Sequence, residues 1–131
     1  MRYLLDTHLL LWLLAEPEKL PTQAMAILEH TDDEICSSAV AIWEIAIKFA
    51  RNRGNIGDMP ISGLQALTLA EASDIELIDI APRHAAAVDR LPMLHPDPFD
   101  RLLVAQAFEE QMTLLTVDRK LAAYGDYVLV L

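Results

Sequence analysis

The chain of 131 residues has the length of one ordinary domain and can bury a hydrophobic core without staples. A formal net charge of −10 excludes a protein that coats nucleic acid through bulk electrostatics, because no excess of Lys and Arg is present to displace counterions. It leaves open an enzyme that gathers carboxylates in one pocket, and it suits a basic partner.

The first predicted element, "RYLLD", is a short buried strand, and "THLLLWLLA" is a helix apolar on nearly every side. Its apolar run, Leu9 to Ala15, is too short to span a bilayer. With Asp6 and His8 flanking it and no basic segment before it, it is not read as a signal peptide. "PTQAMAILEHT" is a second helix with Pro21 in its first turn, "EICSS" a short strand, and "AVAIWEIAIKFARNRG" a long helix ending near Gly54. Cys36, the single cysteine, is expected to be a small buried hydrophobe in a reducing cytoplasm. After the turn-rich "NIGDMPIS" come a helix, "GLQALTLAEAS", a strand, "IELIDI", and a helix, "PRHAAAVDRL". The loop "PMLHPD" leads into the helix "PFDRLLVAQAFEEQ", the strand "TLLTV", the short helix "DRKLAAYG" and the terminal strand "YVLVL". Strands that are short, apolar and separated by helices are the pattern of a mostly parallel sheet buried on both faces. The expected fold is a single α/β three-layer sandwich over residues 1–131, with four or five strands and helices on both faces.

In such a sheet, ligands bind outside the carboxyl ends of the strands. Asp6 closes the first strand and Asp118 follows "TLLTV", so two strands each deliver an aspartate at that edge. Taken singly, each is accounted for as the N-cap of the helix that follows. Glu44 can pair with Lys48 four residues on, the favourable orientation on a helix. Yet the helix around Glu44 is apolar on most sides, with Glu44, Lys48 and Arg51 its only polar stripe. A carboxylate buried there needs a metal or a cation as partner. "HPDPFDR" separates two further acids. Pro98 fits the first helical position, which makes Asp97 the N-cap and leaves Asp100, in the first turn, free to point toward Asp6 and Asp118. Asp100 also has a purely structural reading, as an acid favoured by the helix dipole.

Four carboxylates in one pocket repel unless a cation sits between them. Oxygen donors without a His or Cys cluster suit Mg²⁺ or Mn²⁺, and the histidines at 8, 30, 84 and 95 lack zinc-site spacing. The chemistry such a site supports is metal-assisted hydrolysis of a phosphate ester.

The motifs "LLDTHLLLW", "SSAVAIWEIAIK", "HPDPFDRLLVAQA" and "LLTVDRKLAAYG", in this order, resemble the PIN-domain nucleases, and among them the VapC-type toxins of bacterial toxin–antitoxin modules. The resemblance covers essentially the whole chain. It implies a PIN fold and a divalent-cation-dependent endoribonuclease that leaves a 5′-phosphate and a 3′-hydroxyl. It places the family's acidic quartet at Asp6, Glu44, Asp100 and Asp118, with Thr116 supporting the site. It also implies a VapB-type antitoxin lying in an apolar groove and a toxin homodimer; a cytoplasmic location with no membrane association is expected from the lone cysteine and the short apolar run. Two positions depart from the pattern. Ala41 stands where relatives often carry serine, and "RGNIG" stands where some have Gly-Lys-Leu. Lys48, Arg51 and Arg53 are read either as RNA-phosphate contacts or as a solvated basic face. The excess of leucine on "THLLLWLLA" predicts an exposed apolar interface on that helix, unless the domain buries it whole.

Three other readings compete. A haloacid-dehalogenase-type phosphatase also has an aspartate after its first strand, but needs an acid two residues later, where His8 stands. A non-catalytic RNA- or protein-binding PIN module has no reason to keep four repelling acids. A PIN nuclease of RNA processing, outside a toxin pair, would share the same site.

Overall fold

The computed structural model describes residues 1–30, 32–51 and 59–131. Thr31 and all of "RGNIG", with Arg53 and Gly54, therefore lie outside the described residues, and with them the predicted end of the long helix. The described elements are β1 (Arg2–Leu5), α1 (Thr7–Ala15), α2 (Thr22–Leu28), β2 (Glu34–Ser38), α3 (Ala39–Arg51), α4 (Gly63–Glu71), β3 (Glu76–Ile78), α5 (Pro82–Ala87), α6 (Pro98–Glu109), β4 (Thr113–Thr116) and β5 (Val128–Val130). Short 3-10 helices occupy Pro17–Lys19, Val88–Arg90 and Arg119–Tyr124.

The five strands form one parallel sheet in the order β3-β2-β1-β4-β5. Successive residues of a strand point to opposite faces, and both faces of the central strands are covered. Leu5 and Leu115 join Leu9, Leu10, Leu11, Ala41 and Ile45 in the core beneath α1 and α3. Leu4 and Leu114, one residue earlier on the same strands, join Leu103, Val104, Ala107 and Leu121 beneath α6. This is the three-layer sandwich that unbroken apolar strands predict. Cys36 is fully buried in the second core, and burial pushes its thiol up to about 11, so it stays protonated.

The short helix "DRKLAAYG" is a 3-10 helix, held by the Asp118 cap at one end and ended by Gly125 at φ 144°, a backbone region that L side chains avoid. One element differs from its sequence reading: α1 carries no exposed large apolar side chain. Leu9, Leu10 and Leu11 are buried and Trp12, Leu13, Leu14 and Ala15 are half-buried, packed with Leu20, Ile27, Leu28 and Ile61. Large apolar side chains that do face solvent lie elsewhere, among them Met25 on α2, Trp43 on α3, Leu64, Leu67 and Leu69 on α4, and Phe108 on α6. Among the described residues no helix is long and apolar enough to cross a membrane.

Candidate active site

β1 and β4 lie side by side with Leu5 opposite Leu115, so the residues that follow them meet at the carboxyl edge of the sheet. Asp6 follows Leu5, and its backbone N–H donates to the Leu115 carbonyl at 3.0 Å. Its side chain has two tasks. Oδ1 accepts the Leu9 N–H at 2.8 Å and caps α1, while Oδ2 accepts the Thr116 hydroxyl at 2.6 Å. The same Thr116 oxygen accepts the Asp118 N–H at 3.0 Å, so one hydroxyl ties together the two strand-end aspartates. Asp118 repeats the division of labour. Oδ1 accepts the Lys120 N–H at 3.0 Å, capping the 3-10 helix, and Oδ2 lies 2.9 Å from His95 Nε2.

Glu44 arrives from the second turn of α3, which starts where Ser38 Oγ accepts the Val40 N–H. It is 2 % exposed, and both its oxygens are engaged. Oε1 accepts the Thr7 hydroxyl at 2.6 Å and Oε2 accepts from Lys48 Nζ at 2.5 Å. The helix carrying it is less enclosed than its composition predicts, because Trp43 next door is exposed and stacks edge-on against Phe99 of α6 at 5.1 Å. That contact pins together the two helices that bear Glu44 and Asp100.

Asp97 is the N-cap of α6. Its Oδ1 accepts the N–H groups of Phe99 at 2.8 Å and Asp100 at 3.1 Å, and Pro98 at the first helical position has no N–H to satisfy. Asp100, the third residue of α6, has its Oδ2 3.8 Å from His95 Nε2. His95, Asp100 and Asp118 thus form a compact group of potential metal donors, with Asp6 and Glu44 behind it. Burial pushes the Asp100 carboxyl up to about 7, helped by the negative charges of Asp97, Glu44 and Asp6 and opposed by His95. Asp6 is also raised, chiefly by burial, against the pull of its bonds from Thr116 and Leu9.

His95 has no place in the sequence reading, which weighed histidines only for zinc spacing. Its geometry assigns its role. Nδ1 accepts the Asp97 N–H at 3.2 Å, so in the neutral ring the proton sits on Nε2 and is donated to Asp118. A neutral imidazole has one lone-pair nitrogen, and here it is taken. In this arrangement His95 orients a carboxylate rather than holding a metal. The donors left for a cation are carboxylate oxygens, and carboxylates held above their ordinary range by burial and mutual repulsion are what a hard divalent ion relieves. The donor set therefore fits a divalent cation.

A model of the PIN domain family matches residues 3–127. The chain belongs to the PIN domain family. It is 35% identical over 122 residues to Ribonuclease VapC22 of Mycobacterium tuberculosis, covering 92% of this chain and 90% of that protein. Its fold is similar to a crystal structure of VapBC2 from Rickettsia felis bound to a DNA fragment from their promoter, at a TM-score of 0.71 and 18% identity, covering 100% of this chain and 98% of that one. It is also similar to a toxin–antitoxin complex from Klebsiella pneumoniae, at a TM-score of 0.62 and 18% identity, covering 98% and 96% of the two chains.

In this PIN domain two more side chains support the acids. Thr7 holds Glu44, and Arg101, next to Asp100, holds the loop that carries His95. The Arg101 guanidinium is 7 % exposed and donates to the carbonyls of Val88 and Pro92 and to the Tyr124 hydroxyl. Neither has a periodic signal in the sequence; each is found only once the loop and helix crossings are known.

Proposed function

We propose that this chain is a divalent-cation-dependent endoribonuclease, built as a single PIN domain over residues 1–131, and the toxin of a toxin–antitoxin pair. The observation that carries the reading is the close group of His95, Asp100 and Asp118 donor atoms, to which Asp6 and Glu44 add negative charge, with Asp100 held near 7 by burial and by its neighbours. The 35% identity to a ribonuclease of the VapC type supports RNA as the substrate, and the likeness to toxin–antitoxin complexes fits a VapB-type antitoxin as partner. A homodimer and a cytoplasmic location belong to the same proposal.

Asp6, Asp100 and Asp118 would hold Mg²⁺ or Mn²⁺, with Glu44 behind them. The bound ion supplies positive charge at the scissile phosphate and lowers the pKa of water. The chain's own residues set the geometry. Thr116 holds Asp6 and the start of the Asp118 turn, His95 Nε2–H orients Asp118 Oδ2, and Lys48 offsets the charge of Glu44. At neutral pH the Asp100 carboxyl carries a proton part of the time, and cation binding must release it, so cation affinity rises with pH.

The test is cleavage of RNA by the purified protein with Mg²⁺ and with Mn²⁺, beside the Asp6→Asn and Asp100→Asn variants. Cleavage that survives either substitution removes this mechanism. Growth arrest on expression, relieved by the product of a small neighbouring gene, tests the toxin role.

A further inference from the structure

Beside the acidic site lies a cavity of about 470 Å³, within the range of small-ligand sites (roughly 300–1,000 Å³). Leu11 and Met59 give it an apolar lining, and His8 and Trp12, ring centroids 5.9 Å apart, contribute aromatic surface. Lys48 and Arg51, three residues apart on α3, bring positive charge to it. Its border with the acids is direct. Lys48 lines the cavity and also bonds Glu44 at 2.5 Å, and His8 follows Thr7, which bonds the same carboxylate. The Lys19–Glu16 ion pair, at 2.8 Å, forms another part of the wall.

In a chain of net charge −10, this pairing of cations with an aromatic surface asks for a ligand that is anionic and flat. Single-stranded RNA is both, since its bases stack on aromatic side chains while its phosphates seek Lys and Arg. A basic peptide arm would meet like charge at Lys48 and Arg51. We propose that this cavity seats a nucleotide of single-stranded RNA next to the scissile phosphate, its base against Trp12 and His8 and its phosphate at Lys48 and Arg51. This rests on the ribonuclease reading of the neighbouring acids and adds to it the place where the substrate is gripped.

The experiment uses the full chain. Trp43→Phe leaves Trp12 as the sole tryptophan, and Asp100→Asn blocks cleavage. A mixed-sequence, single-stranded oligoribonucleotide titrated into this protein with Mg²⁺ present should quench the Trp12 fluorescence. Trp12→Leu keeps an apolar side chain against the core and should weaken binding of the fluorescein-labelled RNA about ten- to a hundredfold. The exposed Arg51→Gln variant should weaken it several-fold and lower the salt slope by roughly 0.7. In the otherwise wild-type enzyme both changes should raise KM more than they lower kcat. Absence of quenching, or RNA affinities of both variants equal to the parent, overturns the assignment. Loss of antitoxin binding alone, with RNA binding intact, overturns it too and gives the cavity to the protein partner. If the unaltered protein cleaves no RNA, the ribonuclease reading falls and this inference with it, whereas cleavage by a parent indifferent to Trp12 and Arg51 sinks only the cavity assignment.

Discussion

Replacing Asp100 by Asn should make the cation-free protein more stable while abolishing cleavage. Unfolded, this carboxyl ionises near 3.8; folded, it ionises at about 7. Between those values the folded chain binds the extra proton, so stability falls as the pH rises through the window and stays low above it. At roughly 1.4 kcal/mol per tenfold change in proton affinity, the ceiling on this penalty at pH 8 is about 4 kcal/mol. The side chain is 21% exposed, and screening by solvent brings the figure to on the order of 1–3 kcal/mol. Thermal or urea unfolding in EDTA measures it as a difference between variant and wild type, which cancels groups that titrate alike in both. That difference should be small near pH 4 and full at pH 8, with Asp100→Asn the more stable. Adding Mg²⁺ or Mn²⁺ should then reverse the order, since ligand at a hundredfold over its Kd stabilises by about 2.7 kcal/mol and the variant binds it poorly. An Asp100→Asn protein less stable than wild type at pH 8 in EDTA would refute the reasoning, because the carboxylate would then be making net favourable contacts without any ion.

Substitutions at three other positions separate cap, orienter and scaffold. Asp97→Ala removes the acceptor of two helix N–H groups and should cost about 0.5–2 kcal/mol in unfolding experiments. Asp97→Asn keeps the cap but deletes a charge beside Asp100, so the Asp100 titration, followed by carboxyl ¹³C shifts, should move to lower pH. His95→Ala should lower cleavage or cation affinity about 10–100-fold, and His95→Gln, which keeps a donor toward Asp118, should recover part of the loss; equal activity of both with wild type rejects the orienting role. Arg101→Met removes the side-chain donor shared by the Val88 and Pro92 carbonyls, which keep the Leu91 and Leu94 N–H groups, and by the Tyr124 hydroxyl, and should cost about 1–3 kcal/mol, measured by urea unfolding.

The layered fold is legible in the chain because the central strands are buried twice. Leu4 and Leu5, or Leu114 and Leu115, face opposite cores, so an unbroken apolar run is itself the sign of a sheet covered on both sides. The N-cap at Asp97 is legible for a local reason, since Pro98 marks the first helical residue without any tertiary information. What escapes is what depends on crossings. The burial of α1 comes from α3, α4 and the 3-10 helix after it, none of which leaves a trace in the leucine pattern of α1. His95 escapes because a single histidine in a loop has no period, and its meaning lies in two distances, one to Asp97 and one to Asp118.

The strand-end aspartates also weaken the opposition between capping and chemistry. For Asp6 and Asp118 capping is the simpler account, and the structure bears it out at Oδ1 of each. The other oxygen of each is aimed elsewhere, Oδ2 of Asp6 at Thr116 and Oδ2 of Asp118 at His95. A carboxylate fixed through one oxygen to a helix N-terminus loses the rotamer freedom it would otherwise give up on binding a ligand, so the cap pre-orients the second oxygen. Asp97, by contrast, takes both N–H groups on one oxygen and sits before the turn that carries Asp100. Capping therefore does not argue against a role in the site. At the end of a parallel strand it is the means by which a short acidic side chain is held still enough to serve in one.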